Sequence, residues 1–316
     1  MTTPAAIQID ELRVDYGDFT AVKDLSMEVA RGEIFGFVGP NGAGKTSTLK
    51  VLSTLLYPTY GSVMIAGIDA LEDSRAARQK IGYMPDLAPV PSDLFAWEFL
   101  DFYAQSYGVY GSKQHRREAV DQALEEVELT EQRKAKCNAL SRGQTQRLVF
   151  AKTILQQPEI LILDEPASGL DPLSRRNLKH TLKRIAADGA TVIVSSHILS
   201  ELAEYCTSLC ILNQGQLLIQ GTAEHIRDAF ESTQRSLDIR FTHLAQDAAA
   251  WLREHPRVSH VDDTQMRLSC DFSGTLDDQA QLLTDLVARG YALRSVEEKH
   301  NSFEDILTRI AEENHS

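Results

Sequence analysis

Hydrophobic positions change their spacing several times along the chain, and each change marks an element or a boundary. Ile7 to Tyr16 and Leu25 to Val29 alternate apolar with polar side chains, the period of half-buried strands. Ile34-Phe35-Gly36-Phe37-Val38 is apolar throughout and runs straight into a loop rich in glycine. From about Pro91 to Leu155 the spacing turns helical, with Phe95, Phe99, Leu100 and Tyr103 on one stripe, which predicts an inserted helical subdomain over about 87–156. Ile160 to Leu163 and Thr191 to Val194 are short and wholly apolar, as strands buried on both faces of a parallel sheet must be. The fold class expected is α/β.

After about Ala223 the pattern restarts. Leu237, Ile239 and Phe241 alternate with polar residues, Leu244, Ala248, Trp251 and Leu252 recur at helical spacing, and Met266, Leu268, Cys270 and Phe272 alternate again. Thr275 to Val287 reads as a helix closed by Gly290, and Ser302-Phe303-Glu304-Asp305 opens another. The order βαββαβα suits a small α+β domain over 236–316, behind a first domain over 1–225.

Charge and composition narrow the function classes. A formal net charge of −13 argues against a broad nucleic-acid or anionic-lipid surface, which needs clustered Lys and Arg. No run approaches the roughly 18 apolar residues of a membrane span, and Met1-Thr2-Thr3-Pro4 lacks the basic and apolar regions of a signal peptide. Any membrane role therefore comes through a partner. Cys137, Cys206, Cys210 and Cys270 show no metal-ligand spacing and read as reduced packing residues of a cytoplasmic protein.

Three segments have chemical content. Gly39-Pro40-Asn41-Gly42-Ala43-Gly44-Lys45-Thr46, followed by Ser47, fits the phosphate-binding pattern GxxxxGKT directly after an apolar strand. Its glycines let backbone N–H groups curl around phosphates, Lys45 reaches the β- and γ-phosphates, and Thr46 offers a hydroxyl to Mg²⁺. Asp164-Glu165 emerges at the carboxyl end of the Ile160 strand, where open α/β sheets place ligands. Asp164 suits the metal shell, through water, and Glu165 suits orientation or deprotonation of an attacking water. In Leu140-Ser141-Arg142-Gly143-Gln144, Ser141 and Gln144 form a capping box that starts a helix.

Together these segments resemble the ATP-binding subunits of ABC transporters, over about residues 7 to 222. The resemblance implies a P-loop NTPase (RecA-like) core with an antiparallel β subdomain and an inserted α-helical subdomain, binding ATP and Mg²⁺. It makes Tyr16 the residue that stacks on adenine, although a strand-edge aromatic also reads as plain packing. Asp86 stands at the Q-loop position as a metal contact through water, or only caps the turn between Pro85 and Pro89. Ser141, Arg142, Gly143 and Gln144 match the signature that completes the partner's ATP site, Asp171 the D-loop, and His197 the switch histidine beside the catalytic Glu165. Arg142 departs from the usual glycine, and Asp86 from the usual Gln or Glu. A cation beside a helix N-terminus is mildly unfavourable unless it is solvated or faces phosphate.

The resemblance further implies a homodimer or heterodimer of cassettes that passes closure to integral membrane permease subunits, with the chain peripheral on the inner face of the cell membrane. Gly82 to Asp86, Ser196 to Leu202 and the appended domain look like the exporter-type branch. The alternative is a soluble ABC ATPase acting on ribosomes or nucleic acid. Such proteins usually have two cassettes or a long coiled coil, and neither is legible here.

Overall fold

Ten residues of alternating burial make β1 (Ile7–Tyr16), which turns at Gly17 and Asp18 into β2 (Phe19–Val29). The second strand begins six residues earlier than its alternation suggests. Val22 and Leu25 are both buried although three positions apart, because Asp24 takes a left-handed φ of 52° and the pairing with β1 shifts register around it. With β4 (Tyr60–Ile65) and β5 (Ile68–Asp69) these strands form an antiparallel sheet in the order β2-β1-β4-β5.

The computed structural model describes residues 5–108, 111–226, 235–243, 246–264 and 266–299, in two compact units, 1–223 and 224–316. The first unit is built on a second sheet of six strands. Its members are β3 (Ile34–Val38), β6 (Ile81–Met84), β7 (Ile160–Leu163), β8 (Thr191–Ser196), β9 (Ser208–Asn213) and β10 (Gln216–Gly221), in the order β10-β9-β3-β8-β7-β6. All neighbours are parallel except β10 with β9. Every residue of β3, β7 and β8 is buried, as the apolar runs of β3 and β7 require, and in β8 the polar Thr191, Ser195 and Ser196 are buried with Val192, Ile193 and Val194. Phe35 and Phe37 pack edge to face at 5.5 Å within a core that also takes side chains from the antiparallel sheet. Burial of each ring is worth roughly 1.5–3 kcal/mol.

Helix α1 (Lys45–Leu52) leaves the loop after β3, and the short α2 (Ser74–Gln79) precedes β6. The inserted helices are α3 (Ala96–Tyr107), α4 (Lys113–Glu126) and α5 (Arg142–Ile154). The stripe on α3 is Ala96, Phe99, Leu100 and Ala104; Tyr103 is half-buried with its ring 5.1 Å from Phe99, and Phe95 precedes the helix. Two further helices follow, α6 (Pro172–Ala187), capped by Asp171, and α7 (Leu199–Ala203).

The second unit contains β11 (Arg235–Phe241), α8 (Gln246–Glu254), β12 (Val258–Thr264), β13 (Arg267–Phe272), α9 (Leu276–Ala288) and β14 (Leu293–Lys299). Its antiparallel sheet has the order β12-β13-β11-β14, the ferredoxin-like arrangement of a βαββαβ chain. Leu237, Ile239, Phe241, Leu268, Cys270 and Phe272 meet Ala248, Leu252, Leu282 and Leu286 of the helices in a core of its own. Thr275 caps α9, and Gly290 takes φ 91° just beyond its end. The helix expected from Ser302, and Leu244, lie outside the described residues. Among the described residues no helix is long and apolar enough to cross a membrane.

Candidate nucleotide site

Two requirements shape the loop between β3 and α1. The chain must turn tightly, and its N–H groups must face inward. Gly44 has φ 100°, and a Cβ there would lie 2.6 Å from the carbonyl oxygen of Ala21. Gly39 is equally confined, with Leu212 O at 2.3 Å from any Cβ. Helix α1 begins at Lys45 with no acidic residue in its first turn, so no side chain of that turn offsets the positive end of its dipole. The ammonium of Lys45 is buried and donates to the carbonyl oxygens of Gly39, at 2.6 Å, and Pro40, at 3.2 Å. Burial lowers its pKa, against the attraction of Glu165 and Asp164.

This loop forms part of a cleft of about 210 Å³, lined by Tyr16, Phe19 and Ala21 of the first two strands, by Pro40 to Ser47, and by Asp86 and Glu165. Tyr16 and Phe19 face each other across the hairpin and are 47% and 60% exposed, two aromatic rings at a cleft rather than in a core. The Tyr16 hydroxyl lies 3.4 Å from Ser47 Oγ. Sequence reasoning found Tyr16 and missed Phe19. The Gly17-Asp18 turn was the available signal, since it sets residues 16 and 19 opposite one another. Asp86 is half-buried and makes no hydrogen bond among the described residues.

Two acids leave the adjacent end of β7. Asp164 is 1% exposed, and its Oδ1 accepts a hydrogen bond from Ser195 Oγ at 2.6 Å. Glu165 takes φ 48°, the left-handed region that a non-glycine residue seldom occupies. Its Oε2 lies 3.1 Å from Nδ1 of His197, at the end of β8, and its Oε1 lies 3.8 Å from Nζ of Lys45. Burial raises the pKa of Glu165, with His197 and Lys45 opposing. Lys45 down and Glu165 up share one cause, loss of water, which outweighs their mutual attraction.

The signature residues do not line this cleft. Ser141 caps α5 reciprocally: its Oγ accepts from Gln144 N at 3.3 Å, and its own amide donates to Gln144 Oε1 at 2.9 Å. That use of an oxygen lone pair leaves the hydroxyl proton free for a ligand. Gly143 follows in the first turn. Arg142 is exposed but tied down, with Nη2 donating to Ser168 Oγ at 3.1 Å and its stem across Gly169. Asp171 accepts from Leu173 N and Ser174 N, both at 3.0 Å, and from Ser174 Oγ at 2.6 Å; these bonds hold its carboxyl below the usual range.

The geometry has counterparts among known proteins. The family described as ABC transporter matches residues 22–168. A probable multidrug ABC transporter ATP-binding protein of Escherichia coli, YbhF, is 35% identical over 252 residues, 79% of this chain and 43% of YbhF. The Nod factor export ATP-binding protein I of Cupriavidus pinatubonensis is 33% identical over 71% of this chain and 69% of its own length. The linearmycin resistance ATP-binding protein LnrL of Bacillus subtilis is 29% identical over 96% of this chain and 97% of its own. The match thus spans less than half of the Escherichia coli protein but nearly all of LnrL. A solved ATP-binding subunit of an ABC transporter superposes with a TM-score of 0.66 at 29% identity, covering 72% of this chain and 93% of that one. A dimeric, post-hydrolysis cassette, MJ0796, bound to ADP and phosphate superposes with a TM-score of 0.64 at 25% identity, covering 69% and 98%.

Proposed function

This chain belongs to the ABC transporter family of ATP-binding proteins, and from that premise we propose that it hydrolyses ATP in a dimer of cassettes whose closure drives export through membrane permease subunits. The observation that carries the reading is the meeting of Lys45, Glu165 and His197 within hydrogen-bond or ion-pair reach beside the glycine loop. Relatives named for multidrug transport, Nod factor export and linearmycin resistance support export as the direction. They lend nothing to the alternative of a ribosome or nucleic-acid factor.

The residues suit a hard divalent cation. Asp164 and Asp86 are carboxylates and Thr46 a hydroxyl, and among the described residues no group of three or more His, Cys, Asp or Glu side chains forms a closed cage. That suits Mg²⁺, which takes one or two carboxylates together with substrate phosphates. Thr46, Asp86 and Asp164, the last through water, would hold it. Bound there, it would neutralise negative charge on the phosphates.

The chain's own groups supply the rest. Tyr16 and Phe19 receive the adenine face, while the N–H groups of residues 41–46 and the ammonium of Lys45 bind the phosphates. Glu165 Oε accepts a proton from the water whose oxygen attacks the γ-phosphorus, and the bond to the β-bridging oxygen breaks to release ADP. His197 holds the Glu165 carboxylate in place through Nδ1. From the partner cassette, the Ser141 hydroxyl and the N-terminus of α5 at Gly143 stabilise the transferring phosphoryl group. Two chains, identical or related, are therefore required. The chain then sits on the cytoplasmic face of the membrane through its permease.

Glu165→Gln tests this reading, because the amide keeps the shape and cannot act as a base. With ATP and Mg²⁺ the variant should run as a dimer on gel filtration, with turnover reduced at least about 100-fold. A monomer that still hydrolyses ATP would refute it.

A further inference from the structure

Ser195 touches both acids of the site with one hydroxyl. It is the fifth residue of β8 and fully buried; the parallel pairing of Val194 with Leu163 brings it beside Asp164. Its Oγ donates to Asp164 Oδ1 at 2.6 Å and accepts from the backbone N–H of Glu165 at 2.9 Å. The first distance is that of a charge-assisted O–H···O⁻ bond. A hydroxyl has one proton and two lone pairs, so giving the proton to Asp164 turns a lone pair toward Glu165 without conflict.

The second contact falls where the backbone is least willing. Glu165 has φ 48°, a conformation that persists in a non-glycine residue only when its surroundings impose it. Ser195 holds the amide on one side of that residue, and Gln146 Nε2, from α5, lies 3.4 Å from the carbonyl oxygen on the other. A buried serine needs only one partner to be satisfied. Here both of its bonds go to the acids.

We propose that Ser195 is a positioning residue of the ATPase, whose hydroxyl sets the Asp164 carboxylate and the left-handed peptide of Glu165 together, so that the metal-side acid and the base keep a fixed relation. This rests on the roles of Asp164 and Glu165 proposed above. Ser195→Ala removes both bonds and leaves Tyr16, the glycine loop and Lys45 untouched, so the hydrolytic geometry loosens while nucleotide capture persists. Ser195→Thr keeps the hydroxyl.

The test compares full-length wild type, Ser195→Ala, Ser195→Thr and Glu165→Gln for ATP turnover, and for ATP affinity in Mg²⁺ against EDTA. In Ser195→Ala we expect kcat to fall at least tenfold with KM for ATP within threefold. The gain in ATP affinity on adding Mg²⁺ should shrink at least threefold, and Ser195→Thr should recover most of both. A kcat within twofold of wild type and an unchanged Mg²⁺ gain in Ser195→Ala, beside an inactive Glu165→Gln, would overturn the positioning role alone. Hydrolysis at the wild-type rate by Glu165→Gln would overturn the underlying reading and this proposal with it. Should the alanine variant not fold, Ser195→Cys, a weaker donor of similar size, takes its place with the same outcomes.

Discussion

Nδ1 of His197 stands 3.1 Å from Oε2 of Glu165, joining a half-exposed imidazole to a largely buried carboxylate. Glu165 holds its proton more tightly than an ordinary glutamate, first because burial disfavours the charged form. A base must be ionised, so the acid limb of kcat/KM, which reports the free enzyme, should lie above pH 4.5, the ordinary value for the group. Stability follows the same sign. With a folded pKa above the unfolded one, the contribution of Glu165 is fully present below pH 4.5 and is lost as pH rises through the folded value. Glu165→Gln should therefore melt higher than wild type near pH 7, and the gap should close on acidification below 4.5. Paired melting curves across pH check it; a gap that widens toward acid would be the wrong sign.

Tyr16 and Phe19 present two rings from one hairpin. Stacking needs area and no particular hydrogen bond, so losing Tyr16 should raise KM for ATP about tenfold with kcat little changed. Phe19→Ala should show a smaller rise. Affinity for inorganic tripolyphosphate, which has no base, should be the same in both variants and wild type; a parallel loss there would make the rings structural.

Asp86 lines the cleft without a hydrogen bond of its own among the described residues, which leaves its carboxylate available to a metal shell. Asp86→Ala should shift the Mg²⁺ concentration for half-maximal turnover upward by about threefold or more, with ATP affinity in EDTA unchanged. Superimposable Mg²⁺ curves would leave Asp86 as a turn residue.

Among the described residues, the hydrophobic cluster around Phe35 and Phe37 reaches no further than Leu217 and the cluster of the second unit begins at Leu237, with the buried Ile226 between them. A chain ending near Arg235 should therefore remain soluble and bind ATP within about twofold of the full protein, since no proposed site residue is lost. Titration with a fluorescent ATP analogue decides it.

Legibility in the sequence followed locality. The glycine loop, Asp164-Glu165 and the Ser141 cap are runs of adjacent residues, and each motif's chemistry is complete within about eight positions. Ser195 and Gln146 were invisible because their value depends on β8 lying beside β7 and on α5 passing over the Glu165 carbonyl, facts of topology. The start of β2 was missed because the bulge at Asp24 breaks alternation. Helix α6 was legible and went unread: Asp171-Pro172 is a start signal, and Leu178, Leu182 and Ile185 recur at helical spacing, although only Ser174 and Leu182 among its sixteen residues are buried. Arg142 was expected to be solvated or to face phosphate; its bond to Ser168, across Gly169, joins two segments 26 residues apart.

Parallel pairing of β7 with β8 matches Ile160 with Thr191 and Leu163 with Val194, an unbroken ladder of four rungs. The acids follow directly on its last rung, and the histidine stands three residues past it, just after β8 ends. Accuracy at the site is therefore inherited from main-chain amides, which all side chains share. Within those strands Ile, Val and Leu are free to drift among one another over many generations without moving a carboxylate, provided the volume is kept. An inserted residue has no such latitude: one extra position in either strand would exchange its faces and turn the reactive groups away from each other.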